Sequence, residues 1–248
     1  VKLLALSTSA SRGSAAFLET AELAEAADAF RHRRVSSSRA YADLAGHAER
    51  IFEAISDVTT AAGQAPATIS AVACDVGPGS FTGIRVGVAS AKGIALALGI
   101  PVYGVCSLHA MAAAAFETGA AGPDDVVFAV MDAKRGEVFL AAFDASGVPV
   151  VASHAVLTSQ TIRPVPAYDG RHSVVVGEVA SRLNIPDDFR IIHGAELDFP
   201  SAAWIAELAL PRALRREPAD AALLEANYLR APDVTLARRD LSPSPPIA

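Results

Sequence analysis

The residues best suited to chemistry sit in one short run, Gly77-Pro78-Gly79-Ser80-Phe81-Thr82-Gly83. Ahead of it, Ile69 to Cys74 reads as a buried strand; from Thr82 to about Leu98 the alanine-rich chain reads as a helix stopped by Gly99 and Pro101. A glycine loop between strand and helix can aim backbone N–H groups at an anion, helped by the helix dipole. Three catalytic patterns fail on this run. A P-loop needs Gly-Lys-Ser/Thr, and no lysine follows. A dinucleotide fingerprint needs glycine where Thr82 stands. A nucleophile elbow around Ser80 needs glycines where Pro78 and Thr82 stand. The run therefore reads as a tight turn and helix cap, with Ser80 or Thr82 capping, or as an anion site. At least one of its glycines is expected at positive φ. The six histidines (32, 47, 109, 154, 172 and 193) contain no His-Glu-x-x-His pair. The two cysteines, Cys74 and Cys106, make neither a disulfide framework nor a zinc set, and read as small buried hydrophobes in a reducing compartment.

These residues need a scaffold, and the pattern supplies one. Leu3 to Leu6 reads as a buried strand, Ser7 to Gly13 as a turn and Ser14 to Leu18 as a second strand, while Glu19 to Phe30 fits helix or hairpin. Tyr41, Leu44, Ala48, Ile51, Ile55, Val58 and Ala62 fall at alternating spacings of three and four, which predicts a helix over Tyr41–Ala62 ended by Gly63. Ala45, Phe52 and Thr59 widen its apolar face. On the second helix Gly83, Gly87, Ala91 and Ala95 make a small-residue stripe that lets another backbone come close. Val102 to Cys106 is a short strand and Leu108 to Phe116 a helix. Beyond a Gly/Pro/Asp loop at 120–125 the opening recurs: strand Val126 to Met131, turn Asp132 to Gly136, strand Val138 to Phe143. Leu6-Ser7-Thr8 leading to Arg12-Gly13 parallels Met131-Asp132-Ala133 leading to Arg135-Gly136, a weak repeat that suggests two related α/β lobes. Strands at 174–176 and 191–192 and a helix at 201–216 follow. The expected boundaries are 1–118 for the first lobe, 119–230 for the second (with a C-terminal helix packing back on the first) and 231–248 for a disordered tail.

Composition narrows the function classes. With 248 residues, 52% hydrophobic and 19% charged, the chain can bury a sizeable core. Its net charge of -6 argues against strong direct nucleic-acid binding. No window reads as the ~20 apolar residues of a membrane span, and the N-terminal apolar stretch is too short for a signal peptide, so a soluble cytoplasmic protein is expected.

The run Asp75-Val76-Gly77-Pro78-Gly79-Ser80-Phe81-Thr82-Gly83-Ile84-Arg85-Val86-Gly87-Val88-Ala89-Ser90-Ala91-Lys92-Gly93 resembles the signature of the TsaB (YeaZ) family. His47-Ala48-Glu49-Arg50-Ile51, Gly99-Ile100-Pro101 with Gly104-Val105, Met131 to Val138 and Asn227-Tyr228-Leu229-Arg230 resemble further family segments in the same order. The resemblance is strong up to about Asp144 and weak between Val148 and Phe199.

The resemblance implies two ribonuclease-H-like lobes of the actin-like ATPase (ASKHA) superfamily. There, an acidic residue after the first strand of each lobe arranges metal and phosphates, since Mg²⁺ beside phosphate is held by carboxylates. Asp132 stands at the second position, but Ser7 stands where an acid is common at the first. Ser7, Thr8, Gly77, Gly79 and Asp132 are the nucleotide- or anion-proximal candidates, with no catalytic residue and no metal ligand of the chain's own. The paired histidines of the catalytic relative TsaD fall on Ser107 and Met111, which removes the chemistry of a metalloprotease. The implied role is a non-catalytic partner that pairs with TsaD, joined by TsaE, or with itself when alone. It would reach tRNA only through that complex, with ATP or ADP and Mg²⁺ present only there. The expected partner surface is Tyr41, Ala45, Ala48, Phe52 and Ile55 on one helix and Gly83, Gly87, Ala91 and Ala95 on the other, with Arg85 and Lys92 at its rim. The competing readings are an active actin-like ATPase or kinase and, last, the metalloprotease.

Overall fold

The computed structural model describes residues 1–20, 35–42, 46–168 and 170–229. The open question over residues 19–30 falls largely outside them, as do Leu44 and Ala45 and the expected tail. The first sheet holds β1 (Lys2–Ser7), β2 (Arg12–Glu19), β3 (Val35–Ala42), β4 (Ala71–Asp75) and β5 (Val102–Val105). The second holds β6 (Val126–Lys134), β7 (Glu137–Phe143), β8 (Pro149–Leu157), β9 (Ser173–Val176) and β10 (Phe189–Ile192). Helices α1 (His47–Ala61), α2 (Phe81–Leu98), α3 (Ser107–Glu117) and α4 (Ala202–Leu214) complete the main elements.

Both sheets have one topology. The orders are β3-β2-β1-β4-β5 and β8-β7-β6-β9-β10. In each, the opening strand is central, pairs antiparallel with the next and parallel with the fourth. The repeat read from the two Arg-Gly turns is thus a duplication of the whole sheet. The central strands are apolar on both faces because both faces are covered. Leu3 and Ala5 enter a core shared with Val127, Ala129 and Met131 of the second sheet, while Leu4 and Leu6 face the α1–α2 side. The shared core is filled by α3 and α4, exchanged between the lobes: α3 packs on β6 and β7, and α4, from the second half of the chain, packs on β1, β2, β4 and β5. Among the described residues no α-helix packs on the far face of the second sheet, Val126, Phe128, Val130, Val138 and Leu140; it is covered by Ile162, Val179, Leu183 and Phe189 from irregular chain and β10.

The helix predicted over Tyr41–Ala62 is shorter. Tyr41 lies in β3, paired with Gly13, and α1 begins at His47. Tyr41 matched the helical spacing because its ring must be buried, but what buries it is Gly13: a Cβ there would collide with the Tyr41 ring. Burial and the charge of Asp75 push the Tyr41 hydroxyl up to about 12, against the opposing charge of Arg50. In α1 the inward stripe is Ile51, Ala54, Ile55 and Val58. Gly63, at φ 64, and Gly99, at φ 66, end α1 and α2 in the left-handed conformation that glycine takes without strain. With 18 residues, α2 has the length and apolarity of a membrane span, contrary to the expectation that no window would. Its Gly83, Ile84, Gly87, Val88, Ala91 and Ala95 are buried against the rest of the chain. Strand β8 has no counterpart in the reading of the sequence.

Candidate functional site

The tips of the β1–β2 and β6–β7 hairpins face each other across a cleft of about 550 Å³, lined among others by Ser9, Gly79, Asp132, Lys134, Glu178 and Tyr228. The two tips are built from opposite chemistry.

On the first-lobe side, Ser7, Thr8 and Ser9 are fully buried. Their donors converge on Asp75, the last residue of β4. The Ser7 hydroxyl donates to it at 2.8 Å, the Ser9 hydroxyl donates as well, and the backbone N–H groups of Thr8 and Ser9 donate at 3.2 and 3.3 Å. Burial pushes the Asp75 carboxyl above its ordinary range, and the hydrogen bonds from Ser9, Ser7 and Thr8 pull it only part of the way back. These donors are the equipment of an anion nest, and the chain's own carboxylate takes them. The glycine run makes the fit possible. Ser80 N–H donates to the Ser9 carbonyl at 2.7 Å, and the Thr8 hydroxyl to the Gly83 carbonyl at 2.7 Å. A Cβ at Gly79, Gly83 or Gly87 would run into Ser9 or Thr8. Gly77 and Gly79 have φ of 101° and 155°, as expected for the turn, and Ser80 is the capping residue, accepting from the Gly83 N–H at 3.3 Å.

On the second-lobe side, Asp132 lines the cleft. Burial alone would raise its carboxyl, but hydrogen bonds from the Lys134 ammonium and backbone N–H, with the charge of Arg182, outweigh that and hold it below the ordinary range. The Lys134 Nζ–Oδ2 distance is 2.9 Å and the Arg182 contact 3.7 Å. Lys134 and Arg135 sit at φ 65° and 55°, ahead of Gly136 at 77°. Left-handed non-glycine residues cost about 1 kcal/mol or more each, so this turn holds two cations at the cleft at some expense. Burial and the charge of Asp132 push the nearby Glu178 carboxyl up.

The family resemblance implies Mg²⁺ beside a nucleotide, and the carboxylates here do not make a Mg²⁺ site. Ser7 brings no charge, Asp75 is enclosed by its donors, and Asp132 is already paired with Lys134. Among the described residues no group of three or more His, Cys, Asp or Glu could hold a metal. The nucleotide-proximal candidates are thus divided: Gly79 and Asp132 line the cleft, Ser7 and Thr8 face Asp75 behind it, and Gly77 packs against Ile84 and the Asn227 backbone. Asp75 was the residue the sequence reading passed over. Its signal was an acid closing an apolar strand directly before the glycine run. Ser107 and Met111 are fully buried, and His109, its basicity lowered by burial, stacks on Phe143 with ring centroids 4.9 Å apart.

The expected partner surface needs correction. Tyr41 is buried in β3, Ile55 is turned inward, and Gly83, Gly87, Ala91 and Ala95 are buried. The glycine part of this stripe does admit a backbone closely, but it is the chain's own Ser7–Ser9 loop. Arg85 and Lys92 are not rim charges either. The Arg85 guanidinium lies 3.7 Å from the Phe81 ring centroid and donates to the Tyr228 hydroxyl at 3.1 Å, and Lys92 donates to the Ala222 carbonyl at 3.4 Å, so both hold the C-terminal segment. Ala48 and Phe52 do face outward, Phe52 being 54% exposed. On α2 the outward row is Ala89, Gly93 and Leu96, with Leu96 68% exposed.

Comparison with known proteins places this geometry. Residues 44–154 match the family described as "TsaD: tRNA N6-adenosine threonylcarbamoyltransferase". The chain is similar to the Escherichia coli "tRNA threonylcarbamoyladenosine biosynthesis protein TsaB", 38% identical over 104 residues, which cover 41% of this chain and 44% of that protein. The chain spans about half the length of the first curated relatives it matches. A solved Pseudomonas aeruginosa structure, described as similar to peptidase YeaZ, aligns with TM-score 0.75 and 25% identity over 92% of this chain and 99% of that one. Component A of (R)-2-hydroxyglutaryl-CoA dehydratase from Acidaminococcus fermentans aligns with TM-score 0.50 at 11% identity, over 86% of this chain and 99% of that chain, a likeness of fold alone. The duplicated five-stranded sheets align along nearly the whole of a second Pseudomonas aeruginosa structure, YeaZ, with TM-score 0.73 and 25% identity, and with the glycine run and both hairpins in family order the chain is similar to the TsaB/YeaZ family.

Proposed function

We propose that the chain is a non-catalytic partner subunit in the synthesis of threonylcarbamoyladenosine on tRNA. It pairs with TsaD, is joined by TsaE, and pairs with a second copy when TsaD is absent. It meets tRNA, and ATP or ADP with Mg²⁺, only within that complex, in the cytoplasm. The observation that carries this reading is Asp75. A carboxylate lodged among the donors of the first hairpin repels phosphate from the place where an actin-like enzyme needs it. The outward faces of α1 and α2, with Phe52 and Leu96 exposed, offer apolar area to a partner.

The second reading, an ATPase or kinase of the same fold, is favoured by Asp132 on the cleft wall and opposed by its pairing with Lys134. One experiment separates them. The purified chain is mixed with TsaD of its own organism for size-exclusion chromatography, and ATP turnover is measured on the chain alone with Mg²⁺. A stable complex without turnover is expected. No complex, or turnover above about 1 per second by the chain alone, rejects the partner-subunit reading.

A further inference from the structure

On the second lobe, in the turn that also carries Arg182 and the loop after β10, three side chains form a relay that the proposed function does not use. The Ser181 Oγ lies 2.9 Å from His193 Nε2, and His193 Nδ1 lies 2.8 Å from Asp198 Oδ1. The other Asp198 carboxylate oxygen accepts the Gly194 N–H at 3.3 Å, and the Asp198 backbone carbonyl accepts the Glu178 N–H at 3.2 Å, so side chain and backbone are both tied. Hydroxyl to one ring nitrogen, carboxylate to the other, both within hydrogen-bond reach, is the arrangement by which a base activates a serine while an acid orients the base. Ser181 sits in the short 3-10 turn Ala180–Arg182. The His193 side chain is 44% exposed and that of Asp198 20%, so a reagent can reach the relay from solvent.

We infer that Ser181, His193 and Asp198 form a nucleophile, a base and a positioning acid able to take an acyl group from a small activated ester. The Ser181 Oγ attacks the carbonyl carbon and passes its proton to His193 Nε2. The ester C–O bond then breaks and the leaving alkoxide takes that proton. Water repeats the sequence on the acyl-serine, releasing the acid, so that ester and water give acid and alcohol. Asp198 acts through His193 and touches no substrate. The exposure of Ser181 and His193 suits the relay to small esters or to acyl groups presented by another molecule.

The test uses the whole chain and a biotinylated fluorophosphonate. Its P–F bond breaks as the Ser181 O–P bond forms, and His193 takes the proton. Intact mass and peptide mapping should find one adduct, on Ser181, which disappears when the chain is heat-unfolded before labelling. Ser181→Ala should remove it, and His193→Ala should slow labelling about 100-fold or more. Asp198→Asn should slow it and Asp198→Glu restore part of the rate, whereas a purely structural acid would change thermal stability and leave the labelling rate alone. Release of p-nitrophenol from p-nitrophenyl acetate should fall in Ser181→Ala while His193 is intact, which separates the serine from simple imidazole catalysis. No adduct on native Ser181, equal labelling of the unfolded chain, or wild-type labelling in folded His193→Ala would each overturn the relay and leave the triplet a clamp between two loops.

Discussion

The two lobes share a strand order and differ in what closes them. In the first, α1 and α2 cover the outer face of the sheet, and the hairpin tip is sealed by Asp75 and the glycines of α2. In the second, irregular chain covers the outer face, and the hairpin tip is an open turn with Asp132, Lys134 and Arg135 at the cleft. One topology therefore serves two ends. The first lobe closes its hairpin tip with its own buried groups, and the second keeps charged groups in contact with solvent. The difference lies in a few residues. Where the first hairpin has Ser7, Thr8 and Ser9, the second has Asp132, Ala133 and Lys134, so one tip needs a carboxylate from elsewhere and the other carries its own.

The sharpest way to break this contrast is to remove each carboxylate. Asp75→Ala leaves the Ser9 hydroxyl and two backbone N–H groups buried without their acceptor and the Ser7 hydroxyl with only the Pro200 carbonyl, and urea unfolding should show a loss of about 3–5 kcal/mol. Asp132→Ala frees an exposed ammonium and should cost about 1 kcal/mol or less. Equal losses would mean that the first tip is no more sealed than the second. Glycines give the next contrast. Gly79→Val forces a side chain against the Ser9 carbonyl at positive φ and should cost about 3 kcal/mol or more. Gly136→Ala, with nothing near its missing Cβ, should cost only the conformational strain, about 1 kcal/mol. Thermal melts read both, and a Gly79→Val protein as stable as Gly136→Ala would remove the close-approach argument.

The outer helices test the other half of the comparison. Leu96→Glu should leave circular dichroism and the melting temperature unchanged while weakening association by about 2 kcal/mol in sedimentation. Ala91→Glu, at a fully buried position one turn earlier, should unfold the chain. If Ala91→Glu folded and failed only to associate, the stripe Gly83, Gly87, Ala91 and Ala95 would be a partner surface after all.

The sheet duplication was legible because two short Arg-Gly turns recur at corresponding places, and the glycine run because its spacing excludes the familiar motifs. The direction of the small-residue stripe was not. Periodicity shows that Gly83, Gly87, Ala91 and Ala95 share a face, but not whether its neighbour is this chain or another. For the two glycines Thr8, more than 70 positions away in sequence, decides that. Tyr41 failed for a similar reason: burial in a strand and burial on a helix leave the same apolar mark on one residue. Asp75 was visible, but its role depends on β1 lying beside β4, a pairing that no local pattern reveals. The relay of Ser181, His193 and Asp198 lies in the stretch where the family resemblance is weakest, and only the fold of that stretch brings its members together.

The smallest expected effect concerns pH. Asp132 has its carboxyl held below the ordinary 3.8, through Lys134 and, more distantly, Arg182. A depressed folded pKa means that the unfolded chain binds the proton first. The stability this pair contributes is therefore fully present above the unfolded value and is lost as pH falls through the folded one. The Lys134 side chain is 79% exposed, so the contribution is limited by solvent screening to about 0.2–1 kcal/mol. Lys134→Met removes both the hydrogen-bonding ammonium and the nearer charge, and the Asp132 titration followed by carboxyl NMR should move up towards the ordinary range. Asp75, with no cation among the causes of its shift, should titrate as before in the same sample. An Asp132 titration that stayed depressed in Lys134→Met would mean that Arg182 holds the carboxylate instead, and that the charge at this tip is organised by the loop after β9 rather than by its own turn.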